Sequence, residues 1–173
     1  MQEILAYLAH VRTDVAACVE GNPSEAFARR PREDAWSGSQ IIYHLGNVEG
    51  ATSKMLEGLF ASALAGGMPM DTGTGSLLHS LDHLHVPDRS ARPIVAPERL
   101  RPPDNPDLAP SWASLQTVRE RTHRAVATVE GRDLTTLSAP HPIFGPINGY
   151  EWVLFIGQHE ERHLNQLKEA LLR

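Results

Sequence analysis

The sequence predicts an all-α fold, a four-helix bundle with one long crossover between its second and third helices. Three observations predict it. Four stretches carry apolar residues at three- and four-residue steps, the period of a helix with one buried face. Between the second and third lies a long connection, residues 65–110, rich first in Gly and then in Pro. No stretch alternates apolar and polar residues convincingly enough to read as a strand, and there is no internal repeat.

The first helix is expected over about 2–20, where Ile4, Leu5, Leu8, Val11, Val15 and Val19 form one stripe and Gly21-Asn22-Pro23 stops it. The second is expected over 37–64, with Ser37 as N-cap. Its stripe is Ile41, Leu45, Val48, Thr52, Met55 and Leu59. The third starts near Ser111, after Pro110, and runs through Leu115, Val118, Thr122, Val126 and Val129 to Gly131. The fourth starts at Asn148, where Asn148 and Glu151 have the spacing of a capping box with Asn in place of Ser or Thr. Trp152, Phe155, Ile156, His159, His163, Leu167 and Leu171 then share a face. Within the crossover, 76–84 reads as a short helix. So long a connection in a compact domain is commonly functional.

A chain of 173 residues fits one domain, 1–173, with a core that needs no disulfide. The net charge of −5 and the lack of a basic stripe exclude nucleic acid as the main partner. The single cysteine, Cys18, allows no intramolecular disulfide and reads as a buried small residue beside Val15 and Val19. No segment approaches the ~20 apolar residues of a membrane span. The first residues lack the basic start and apolar run of a signal peptide, so the expected location is cytoplasmic.

The chemistry concentrates on the last helix. His159 and His163 are four apart, which is roughly 6 Å of rise along one face. Two imidazoles so placed can converge on one metal ion at about 2.0–2.1 Å each. The face is the apolar one, where unpartnered ring nitrogens are costly. His159-Glu160-Glu161-Arg162-His163 is literally the H-E-x-x-H of zinc proteases. The extended protease pattern requires glycine and histidine where this chain has Gln166 and Glu169. A third ligand is therefore expected upstream. The best candidate is His44, which lies at helical steps from Gln40, Ile41, Val48 and Ala51 beside the second helix's buried stripe. It joins the pair only if the two helices are neighbours; otherwise it is a core histidine with other partners. His79, His83 and His85 form a second cluster in the crossover, readable as a second site, a lid on the first, or exposed loop residues. His10, His123 and His141 stand alone and receive no role.

Three segments, AWSGSQIIYHLGNVEG, APERLRPPDNPD and HPIFGPINGYEWVLFIGQHEERHLNQL, resemble the DinB-like superfamily of four-helix bundles. The shared features are Trp-Ser before a helix bearing one histidine, and His-x-x-x-His-x-x-Gln on the last helix. The resemblance implies one divalent metal ion, zinc or nickel with iron also compatible, held by His44, His159 and His163. Many relatives carry His-Arg-Gly-Gln at the second ligand of the last helix; here it is His163-Leu164-Asn165-Gln166. Asn47 and Gln166 lie one turn from ligands and are expected to support them. Glu160 follows a ligand directly and is expected to face sideways, serving as a base only if it turns towards the metal. The superfamily includes thiol-dependent S-transferases and an isomerase. The expected function is thus a metal-dependent enzyme that transfers a low-molecular-weight thiol or hydrolyses a small substrate. The alternative is a non-catalytic stress-related or binding protein with a structural metal. A homodimer through a bundle face is compatible with either.

Overall fold

The computed structural model describes residues 1–91 and 94–172. The elements run α1 (Gln2–Glu20), α2 (Ser24–Ala28), α3 (Gly38–Ala65), α4 (Leu108–Ala127), β1 (Ser138–His141), β2 (Gly145–Asn148) and α5 (Gly149–Leu171). The four long helices α1, α3, α4 and α5 form the expected bundle, with the crossover between α3 and α4. Around the ring, α1 packs on α5, α5 on α3, and α3 on α4. None of the described helices is long and apolar enough to cross a membrane.

Local signals set the helix starts. Ser37 accepts a hydrogen bond from the Gln40 amide, and the Gln40 side chain accepts one from the Ser37 amide. Asn148 and Glu151 make the same reciprocal pair at α5. Each box satisfies two amides that the helix itself cannot.

The core is split into two apolar clusters by one polar layer. At matching heights, Arg12 follows Leu8 on α1, Glu49 follows Leu45 on α3, Arg119 follows Leu115 on α4, and Glu160 follows Ile156 on α5. Arg119 is 2.7 Å from Glu49 and 2.6 Å from Glu160. Arg12 also contacts both carboxylates, at 2.9 Å from Glu49. The guanidiniums bind backbone too: Arg12 donates to the Leu115 carbonyl and Arg119 to the Leu8 carbonyl. Thr122 donates to Glu49, and Ser53 bonds Thr122. Two cations and two anions, all hydrogen-bonded, make a buried layer tolerable.

Several elements differ from expectation. A fifth, short helix, α2, places the fully buried Phe27 against Gly38, where any Cβ would lie 2.7 Å from the Phe27 ring. α4 begins at Leu108, so Pro110 falls in its first turn. There an amide has no intrahelical partner to lose. The expected helix at 76–84 is instead a run of turns ending in one 3-10 turn, Asp82–Leu84, closed by His85 at φ 50°. Isolated segments this short do not sustain an α-helix, and Leu77, Leu78, Leu81 and Leu84 are held by the core instead. A β-hairpin that the sequence hid joins α4 to α5, with β1 and β2 antiparallel and His141 opposite Gly145. Its three prolines, Pro140, Pro142 and Pro146, mask the alternation. The three-residue loop 142–144 closes on Gly145 at φ 79°, a geometry that favours glycine.

Candidate metal centre

His44 projects from the first third of α3, and His159 and His163 from adjacent turns of α5. Because α3 and α5 are neighbours, the three rings meet. Ring centroids are 5.2 Å apart for His44 and His159, 4.8 Å for His44 and His163, and 4.6 Å for His159 and His163. One nitrogen from each lies within 4.8 Å of the others. Tetrahedral bonds of about 2.0–2.1 Å require about 3.3 Å between ligand atoms, so the rings would close by about 1.5 Å at most on an ion.

The tautomers are set by the partners. His44 Nδ1 is 2.8 Å from the Leu100 carbonyl, an acceptor, so Nδ1 carries the proton. His163 Nδ1 is 2.9 Å from Gln166 Oε1 and does the same. Both rings therefore present an unprotonated Nε2. Burial pushes all three imidazoles below their usual range, and His163 falls to about 3. For His159 and His163 the neighbouring histidines add to the effect of burial. Three neutral imidazoles, two of them held by the far nitrogen, suit a divalent transition ion.

Of the residues expected to support the ligands, Gln166 does contact His163. Asn47 is half-buried on the flank of α3, and no hydrogen bond joins it to the three histidines. Glu160 lies in the polar layer, bound by Arg12 and Arg119. His79, His83 and His85 are exposed on the crossover, where His79 pairs with Asp82 at 2.9 Å; none of them lines the site.

The triad opens on a cavity of about 570 Å³, a size that holds a small organic molecule. Trp36, just before α3, stacks on His163 at 6.0 Å and tilts over His44 at 4.8 Å. The crossover contributes Val86, Arg89 and Leu100, and the hairpin contributes Ile143 and Phe144. Arg162, between His159 and His163 on α5, donates to the Val86 and Asp88 carbonyls and so fastens the crossover over α5. Four arginines line the cavity, Arg32, Arg89, Arg99 and Arg162; the single carboxylate among the described lining residues, Asp34, is exposed.

His141 was missed by sequence reasoning. It is 7% exposed, packed among Phe144, Trp152 and Phe155, and lines the same cavity. Burial lowers it to about 4. Trp36 and Arg162 also receive no role from the sequence, although Arg162 directly precedes His163 and Trp36 stands just before α3.

Comparison with known proteins agrees with this architecture. The chain is 28% identical to the uncharacterized protein YuaE of Bacillus subtilis (strain 168) over 152 residues, 87% of this chain and 86% of that one. Its fold is similar to the crystal structure of TT2238, a four-helix bundle protein, with a TM-score of 0.64, 23% identity, and 96% and 97% of the two chains covered. The DinB superfamily profile matches residues 7–167, nearly the whole bundle. This chain belongs to the DinB superfamily.

Proposed function

We propose that His44, His159 and His163 hold one divalent metal ion and that the adjoining cavity is the active site of a metal-dependent thiol transferase. The observation that carries the reading is the tautomer arrangement: Leu100 and Gln166 fix the outer nitrogens of two rings, so that both Nε2 lone pairs are available to a shared ion. A divalent ion there would supply the charge that makes a bound thiol or water ionise readily.

The chain's own residues favour a thiol over hydrolysis. Water attack is best served by a nearby general base. Glu160 is committed to two arginines, and Asp34 lies at the exposed rim. A thiol starts far more acidic than water, at about 8.5 against about 15.7, so it would ionise on such an ion by losing its proton to solvent, without such a base. Arg89, Arg99 and Arg162 make the cavity wall cationic, which favours anionic reactants. Trp36 and the hairpin aromatics provide an apolar wall that limits water around the reacting groups.

The test has two stages. Protein purified without chelator should contain close to one metal ion per chain by elemental analysis, and His44→Ala and His163→Ala should each abolish it. No uptake after adding zinc or nickel would refute the site. Loaded protein is then assayed for conjugation of 1-chloro-2,4-dinitrobenzene with a panel of low-molecular-weight thiols. Metal binding with no transfer to any acceptor tried would favour a structural ion.

A further inference from the structure

His141 ends β1, and its Nδ1 lies 3.2 Å from the Ile143 amide and 3.3 Å from the Phe144 amide. Both amides are donors, so Nδ1 must be the acceptor. A neutral imidazole carries one ring proton, which leaves it on Nε2. The ring cannot readily swap tautomers, because that would set a ring N–H against two amide N–H groups.

The orientation is fixed as well. The Phe144 ring stacks on His141 at 4.6 Å and 19°. Phe155 meets it edge-on at 4.6 Å, and Trp152 lies 5.1 Å away. Trp152 is itself tied down through its indole N–H to the Ala139 carbonyl. Nε2–H makes no hydrogen bond to any described residue. The His141 side chain is 7% exposed and lines the cavity, so its remaining N–H is a donor that a molecule seated there can meet. The Phe155 ring separates it from the metal triad, at 4.6 Å from His141 and 5.4 Å from His159.

We propose that His141 is a substrate-binding residue whose Nε2–H donates a hydrogen bond to a carbonyl-type oxygen of a small, otherwise apolar molecule seated against Phe144, Phe155 and Ile143. The aromatic cage takes the apolar body, and the single donor inside it orients the molecule. The role rests on the cavity being the active site proposed above, but it requires no contact between His141 and the metal.

The test uses zinc-loaded protein with ¹⁵N-labelled histidine, and acetophenone as the carbonyl probe, with ethylbenzene as a probe of the same shape that lacks the oxygen. Two-bond ¹H–¹⁵N spectra should show the His141 proton on Nε2 around neutral pH. Acetophenone should shift that proton downfield. His141→Phe, which keeps an aromatic ring in the cage, should retain one zinc per chain. It should bind acetophenone about tenfold more weakly and ethylbenzene no worse. A proton on Nδ1, an unchanged acetophenone affinity in His141→Phe, equal losses for the two probes, or loss of zinc from the variant would each overturn the proposal. If wild-type protein takes up no zinc yet shows the acetophenone shift, the metal reading falls and the His141 donor stands.

Discussion

Arg119 offers the sharpest test of how the bundle is held. Replacing it with Met removes a cation that bonds Glu49 through two nitrogens, at 2.7 and 3.2 Å, and Glu160 at 2.6 Å. It also removes the side-chain hydrogen bond to the Leu8 carbonyl, 2.9 Å from Nη1. Glu49 and Glu160 are 4% and 2% exposed, so water cannot replace the lost partner. Arg12 is then left with two carboxylates. Breaking a buried pair from one side costs about 3–5 kcal/mol. For a domain of this size that lowers the thermal midpoint by roughly 6–20 °C.

Arg121→Met is the internal control. It lies two residues away on α4 and breaks the Arg121–Glu57 ion pair, but that pair is 37% and 40% exposed. Exposed pairs contribute little, so its midpoint should barely move. Thermal melts and urea titrations by circular dichroism read both variants. Equal midpoints for the two would show that the buried layer is not a structural clamp. Replacing Arg12, Glu49, Arg119 and Glu160 together by apolar residues of similar volume should recover most of the loss, since no charge then remains buried alone.

Other outcomes follow from the same packing and electrostatics. Gly157→Ala should destabilise by about 1–3 kcal/mol, because its Cβ would lie 2.7 Å from the Tyr7 ring and 2.8 Å from Leu8 Cδ1. Gly58→Ala, with nothing within 4 Å, should stabilise α3 by about 0.5–1 kcal/mol; urea midpoints with the same sign for both would refute the contrast. Gln166→Leu should weaken zinc binding about 10–100-fold by isothermal titration, by releasing His163 Nδ1; unchanged affinity would remove Gln166 from the site. Acid should destabilise the metal-free protein steeply. His44, His141, His159 and His163 all sit below their usual range, so the unfolded chain takes up protons that the fold refuses. Stability is therefore full above about pH 6.5 and falls with pH below it, until His141 titrates at about 4 and His163 at about 3. His141 and His163 together give a slope of up to about 3 kcal/mol per pH unit. A midpoint flat from about pH 7 to about pH 5 would contradict the burial of neutral rings.

What the sequence made legible was local. The stripes of α1, α3, α4 and α5 and the cap at Asn148 each depend on residues within a turn of one another. The pairing of His159 with His163 is local too. His44 is a harder case. Its place beside a buried stripe is readable, yet its meeting with α5 depends on which helices are neighbours. The polar layer was illegible for a similar reason. Arg12, Glu49, Arg119 and Glu160 each look like ordinary surface charges, and only the bundle brings them to one level. His141 left no mark because its fixed tautomer comes from its own hairpin's amides, and that hairpin was hidden by three prolines.

The two polar clusters divide the labour of α3 and α5. His159 and Glu160 are adjacent in sequence, so their side chains leave α5 about 100° apart. The histidine turns to the cavity, while the glutamate turns inward to Arg12 and Arg119. The literal H-E-x-x-H therefore separates into a histidine pair at the candidate metal centre and a structural acid. On α3, His44 and Glu49 are divided in the same way. The buried ions bind α3 and α5 to α1 and α4 from one side, and they do so at a defined height, because each guanidinium also grips a backbone carbonyl. That fixes the relative register of the two helices whose opposite faces carry the triad. An apolar layer could supply similar stability, but it would tolerate sliding more readily. The charged layer thus holds three neutral histidines together without an ion, so the metal binding proposed above would not bear the cost of assembling the helices.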